Sequence, residues 1–113
     1  MAPAAASGPL LTTPETCAAI DRFYRPAETA SEADRLAQID AVEAEMRTLP
    51  ERASDDLKAS MPPIVAFSEV ALKDARADTR EVDKYMADPA VAKEYQEAVL
   101  AAAKFCPQAA PKQ

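Results

Sequence analysis

Apolar residues recur along this chain at steps of three and four, the spacing that lines one face of an α-helix. In the first such run, Cys17, Ile20, Phe23 and Tyr24 share a face. Thr13 is placed to cap this helix, Pro14 takes its first helical position, and Pro26 ends it. A second helix is predicted from Ser31, with Asp34 in a capping-box position and the stripe Leu36, Ile39, Val42, Met46 and Leu49. The stretch after it admits two readings. Thr48 and Glu51 form a T-x-x-E signature for a short helix over about 49–59, or Pro50 merely kinks one long helix. Ser60 then caps a helix beginning near Met61 and Pro62, with Ile64, Val65, Phe67, Val70, Ala71, Leu72 and Ala75 as its apolar positions. It is predicted to continue through Val82, Tyr85 and Met86 to about Ala87, with a weak point at RADTRE. Asp88 and Pro89 open the last helix, whose stripe is Val91, Tyr95, Ala98, Val99, Ala102, Phe105 and Cys106. Pairs four residues apart support the exposed faces: Asp21 with Arg25, Glu43 with Arg47, Glu69 with Lys73.

Four main helices with short connections predict an all-α fold, a small antiparallel bundle over residues 13–106. Residues 1–12 and 107–113 carry little to bury and read as flexible tails, the first a tail or tether. Composition sharpens this picture by thinning the core. Of 113 residues, 27 are alanine, while Leu, Ile, Val and Phe together number only 19. A single glycine and ten prolines speak against a sheet protein rich in tight turns.

The scarcity of large apolar side chains gives the two cysteines their importance. Cys17 lies in the first turn of the first helix and Cys106 at the end of the last, both on apolar stripes. In an up-down-up-down bundle those helices are antiparallel neighbours, so a bridge between the two positions is geometrically reasonable. Closing a loop of about 90 residues removes roughly 4.5 kcal/mol of chain entropy from the unfolded state. A thin core leaves only about 5 kcal/mol of net stability, so a bridge of that size decides whether the domain folds. The competing reading is two separate buried thiols. A disulfide is favoured, and it implies an oxidising compartment.

A cysteine early in the first helix, Pro50 followed by Asp55-Asp56-Leu57-Lys58, the Asp88-Pro89-Ala90-Val91 helix start and the final Cys106 form a diffuse pattern over most of residues 14–106. It resembles small, alanine-rich exported helical proteins and lipoproteins of bacteria. The resemblance implies export, often with a lipid-modified cysteine and a flexible tether ahead of the domain. That cysteine and a signal peptide are not in this chain. The expectation is therefore an extracytoplasmic protein, secreted or lipid-anchored at the cell envelope through a segment removed from this sequence.

Catalytic and recognition signatures are sparse. The chain has no histidine, which excludes Ser-His-Asp and Cys-His catalysis. Its one glycine, Gly8, excludes P-loops and dinucleotide loops. A net charge of −6 and scattered basic residues speak against nucleic acid. No apolar run approaches the roughly 18 residues of a membrane span. Asp74, Asp78 and Glu81 share a helical face that could hold a hard cation weakly. Lys73, Arg76 and Arg80 around them favour a solvated acidic face. Asp55 and Asp56 suit a helix N-terminus and nothing further. Tyr24, Tyr85 and Tyr95 raise a haem or lipid pocket, since tyrosinate ligates ferric haem, but core edges with surface hydroxyls are the commoner use. Phe23, Phe67 and Phe105 read as core, and Met46, Met61 and Met86 as gap-fillers or an adaptable surface. No catalytic, metal or cofactor residue is assigned; the site residues are the disulfide partners Cys17 and Cys106. The leading expectation is a non-enzymatic interaction module with a protein partner at the cell envelope. The alternative is a carrier of a small apolar ligand, a lipid or haem, held between helices. A cavity between the helices would favour the carrier, and a continuous outer apolar patch the interaction module.

Overall fold

A computed structural model of the chain describes residues 10–106, and these are helical with no strand among them. Of the tails expected over 1–12 and 107–113, residues 1–9 and 107–113 lie outside the described residues, while Leu11 and Thr12 belong to the folded domain. Six helices follow one another: α1 (Thr13–Tyr24), α2 (Glu32–Arg52), α3 (Asp55–Lys58), α4 (Met61–Ala77), α5 (Glu81–Met86) and α6 (Pro89–Ala103). Two of these arise where four helices were expected: the segment before α4 forms its own short turn of helix, and the long helix over 61–87 is broken.

The start of α1 differs from expectation by one residue. Thr12, not Thr13, is the cap: its hydroxyl accepts the Glu15 N–H at 3.2 Å and the Glu15 carboxylate accepts the Thr12 N–H at 2.9 Å. Proline is tolerated throughout a first turn, so Pro14 does not by itself fix the first helical position. The Thr13 hydroxyl is freed to donate to the Asp56 carboxylate and to pair with the Ser54 hydroxyl, each 3.0 Å away. Leu11 already packs against the core, and its N–H donates to the Arg52 carbonyl at 2.8 Å. The chain on both sides of α1's start is thereby stitched to the end of α2. Thr16, Ala19 and Ile20 form the buried face. Thr16 is fully buried because its hydroxyl donates to the Thr12 carbonyl and accepts the Ser54 N–H.

The second helix begins at its Ser31 cap, whose hydroxyl accepts the Asp34 N–H at 3.1 Å. Ile39, Val42, Met46 and Leu49 are buried as the stripe requires. Leu36 is 38% exposed. Arg35, four residues ahead of Ile39, takes the place against α4 instead, donating to the Ala75 carbonyl at 2.8 Å. Pro50 lies inside the last turn and α2 runs on to Arg52, so no helix restarts at 49. The Thr48 hydroxyl donates backwards to the Glu45 carbonyl, which leaves the T-x-x-E signature unused. Leu57 of α3 is fully buried, and the chain passes through Ser60 in helical geometry, without a side-chain cap, directly into α4.

The central element is α4, which packs along α2 and also touches α3, α5 and α6. Met61, Ile64, Val65, Ser68 and Leu72 are its buried positions. Salt bridges fasten α4 to α2: Arg76 reaches Asp40 at 2.7 Å and Glu43 at 2.6 Å, while Glu69 faces Arg47 at 3.8 Å in place of the expected Lys73. The pairs Asp21–Arg25 and Glu43–Arg47 form as expected, at 2.8 and 3.1 Å. At Ala77 the helix stops, and Asp78 and Arg80 adopt left-handed backbone conformations with φ of 49° and 58°. The Asp74 carboxylate compensates by accepting the Glu81 and Val82 N–H groups and the Thr79 hydroxyl at 2.7–3.1 Å.

Asp88 caps α6 through the Ala90 N–H at 2.9 Å. Tyr95, Ala98, Ala102 and Cys106 are buried, whereas Phe105 is 46% exposed. Phe105 was expected in the core. The helix has ended by Ala103 and the inward position goes to Cys106, which turns its neighbour outward.

Candidate functional site

Cys17 and Cys106 are joined by a disulfide, with Cα atoms 5.3 Å apart across a separation of 89 residues. A second contact fixes the relative sense of the helices they belong to. Tyr24, at the end of α1, meets Tyr95, in the middle of α6, through a hydrogen bond between the two phenols. Moving forward along α1 therefore means moving backward along α6, and the two helices run in opposite directions.

Tyr24 and Tyr95 belong to an aromatic cluster centred on Phe67 of α4. The Tyr95 ring stacks on Phe67 with centroids 4.2 Å apart, and Phe23 and Tyr85 meet it edge-on at 6.2 and 6.4 Å. Phe23 in turn touches Tyr24 at 4.8 Å. Four helices thus contribute to one aromatic seam, which supplies what an alanine-rich core lacks in bulk. Burial pushes the Tyr24 phenol well up from the usual tyrosine range and raises the Tyr95 phenol as well. Both environments favour the neutral hydroxyl.

Beside this seam, a groove of about 500 Å³ opens between α1, α2 and α4. Phe23 and Tyr24 form its α1 wall, Ile39 and Val42 its α2 wall, and Ala71, Leu72 and Ala75 its α4 wall. The chain from Pro26 to Thr29 borders it, pinned where the Gln38 side-chain amide donates to the Ala27 carbonyl at 2.9 Å. The groove exists because small residues stand where large ones would close it. Ala71 and Ala75, one helical turn apart, leave α4 low at this point, and the PAET connection offers no large apolar side chain to fill the gap. The contrast with the side of α1 that faces α6 is plain: between Ile20, Ile64 and Cys106 the void is only about 10 Å³.

Both arginines at the rim are paired with carboxylates of the protein. Arg22 is forked onto Glu45, with its two N–H···O contacts at 2.9 and 2.6 Å. Arg35 is forked onto Glu32 at 3.0 and 2.8 Å, its remaining arm held by the Ala75 carbonyl.

Asp55 and Asp56 lie in the first turn of α3 as expected, whereas Asp74 serves as neither a cation ligand nor a simple solvated acid. Asp74 is turned to the backbone of the α4–α5 connection, and hydrogen bonds, the Val82 N–H foremost, hold its carboxyl below the usual aspartate range. Among the described residues no three acidic or cysteine side chains are gathered as metal ligands, and no helix is long and apolar enough to cross a membrane. Asp56 accepts the Thr13 hydroxyl, tying α3 to α1. The disulfide partners are brought together, but at the end of α1 remote from the groove. The groove itself was not assigned from the sequence, where Ala71 and Ala75 read simply as stripe positions. No protein-family model, curated protein or solved structure matches the chain.

Proposed function

We propose that the protein is a non-enzymatic, extracytoplasmic carrier that holds a small apolar molecule in the groove between α1, α2 and α4. The observation that carries this reading is the groove itself: about 500 Å³, walled by Phe23, Tyr24, Ile39, Val42, Leu72 and two alanines. Sites for small molecules have volumes of about 300–1,000 Å³ and largely apolar linings with a few polar groups at the edge. The disulfide supports the compartment, since such bonds persist in oxidising surroundings. A neutral fluorescent apolar probe, N-phenyl-1-naphthylamine, should bind saturably to the native protein. Ala75→Leu should weaken that binding several-fold by filling the groove while leaving the helical circular dichroism intact. Equal binding by the two proteins, or none by the native one, would reject the groove as the site.

A protein partner at the cell envelope is the second reading. Leu100 and Phe105, 68% and 46% exposed on the α6 side, support it. The two residues are separated by more than a helical turn, and the groove is the more developed feature.

A further inference from the structure

We infer that the groove selects a neutral apolar molecule over an anionic one with the same hydrocarbon chain. This inference rests on the reading of the groove as a ligand site and specifies its occupant. Three charged side chains line the groove: Arg22, Glu28 and Arg35. Arginine at the mouth of an apolar pocket would ordinarily suggest a carboxylate or phosphate headgroup, because the guanidinium fork matches those anions. Here both forks are already occupied by the protein's own carboxylates. Arg22 gives its Nε and one terminal nitrogen to the two oxygens of Glu45, and Arg35 does the same with Glu32. The third nitrogen of Arg35 donates to the Ala75 carbonyl. Each arginine is thereby neutralised in place, and Glu28, on the connection after α1, adds a further negative charge.

An incoming carboxylate either displaces Glu45 or Glu32 from a bidentate pair, or uses the N–H groups left over on a guanidinium whose charge is already offset, with Glu28 beside it. Displacement gains no net ion pair, because one carboxylate is exchanged for another and the protein's own is left without a partner. A neutral headgroup faces neither cost. It can remain at the wet mouth while its hydrocarbon lies against Phe23, Ile39 and Leu72. The same balance weighs against haem, whose two propionates would find no net positive charge at the rim.

The test compares three probes of one chain length below their aggregation limits: 1-decanol, decanoate and decyltrimethylammonium, titrated at neutral pH and low salt by displacement of N-phenyl-1-naphthylamine. Decanol should bind at least about five-fold tighter than decanoate, the scale of a partly screened charge pair, and no more weakly than the ammonium. In Glu45→Gln, Glu32→Gln and Glu28→Gln the decanoate-to-decanol affinity ratio should rise, because each change removes a negative charge at the rim. Glu28, exposed on the connection, provides the variant least coupled to folding. Decanoate binding as tightly as decanol, or a ratio unmoved in all three variants, would overturn the selectivity. Tighter binding of the ammonium would overturn neutrality in favour of a cation. If none of the three displaces the naphthylamine although it binds and Ala75→Leu weakens it, the groove stands and the alkyl occupant is wrong. If the naphthylamine itself fails to bind, the groove reading fails first.

Discussion

Individual side chains in this protein carry unusual weight because so few large apolar ones are present. Asp74 illustrates it. The carboxylate closes the α4–α5 connection by accepting two backbone N–H groups and a hydroxyl. Those bonds favour the charged form, so the folded carboxyl lies below the ordinary aspartate value of 3.8. A depressed folded value means that the stabilisation is fully present above the unfolded pKa. It is lost as pH falls below about 4 and through the folded value. Thermal melts followed by circular dichroism should therefore show a loss of stability below about pH 4 that Asp74→Ala makes smaller, the variant being already weakened at pH 7. Identical acid profiles would show that the capping bonds contribute nothing. Asp74 was visible in the sequence only as one acid among several, since its partners lie in a connection whose course depends on backbone geometry.

At the scale of elements, helix starts were legible because they are chemically local. Asp88-Pro89 and Ser31 act within three residues of themselves, and both open helices in the structure. The stripe Ile39, Val42, Met46 and Leu49 was legible for the same reason: periodicity alone specifies a buried face. The break after Ala77 was not. Left-handed turns usually recruit glycine or asparagine, and here Asp78 and Arg80 take those conformations without either. The polar RADTRE run was the single cue. That strain yields a prediction at this scale. Arg80→Gly should raise stability by about 1 kcal/mol, relieving a left-handed non-glycine residue, while Arg80→Ala should not. Denaturant midpoints of the two variants provide the check, and a loss of stability in Arg80→Gly would mean that the connection is not strained. Phe105 shows the converse limit. Periodicity placed it on the core face, but periodicity ceases to apply where the helix ends.

For the whole molecule, the disulfide and the groove lie towards opposite ends of α1 and depend on each other through it. Cys17 anchors the helix to the end of α6, and Phe23 and Tyr24, further along, form one groove wall. The bridge was legible because two cysteines at matching helix ends leave one pairing. The groove was not, because a cavity is a statement about side chains that are absent in three dimensions, and alanines read alike whether neighbours cover them or not. Replacing both Cys17 and Cys106 with serine should cost about 2–5 kcal/mol, the range for a native disulfide in a small domain. The same variant should bind apolar probes more weakly, since one wall of the groove is loosened. A double variant that melts within a few degrees of the parent would mean that the aromatic seam and the α2–α4 contact suffice without the bridge. The central claim, an apolar ligand seated between α1, α2 and α4, is tested most directly by titrating isotopically labelled protein with 1-decanol and following the backbone amide resonances by NMR. The account predicts saturable shifts concentrated at Phe23, Ile39, Ala71 and Ala75. Shifts centred on Leu100 and Phe105, or no saturable shift at all, would contradict it.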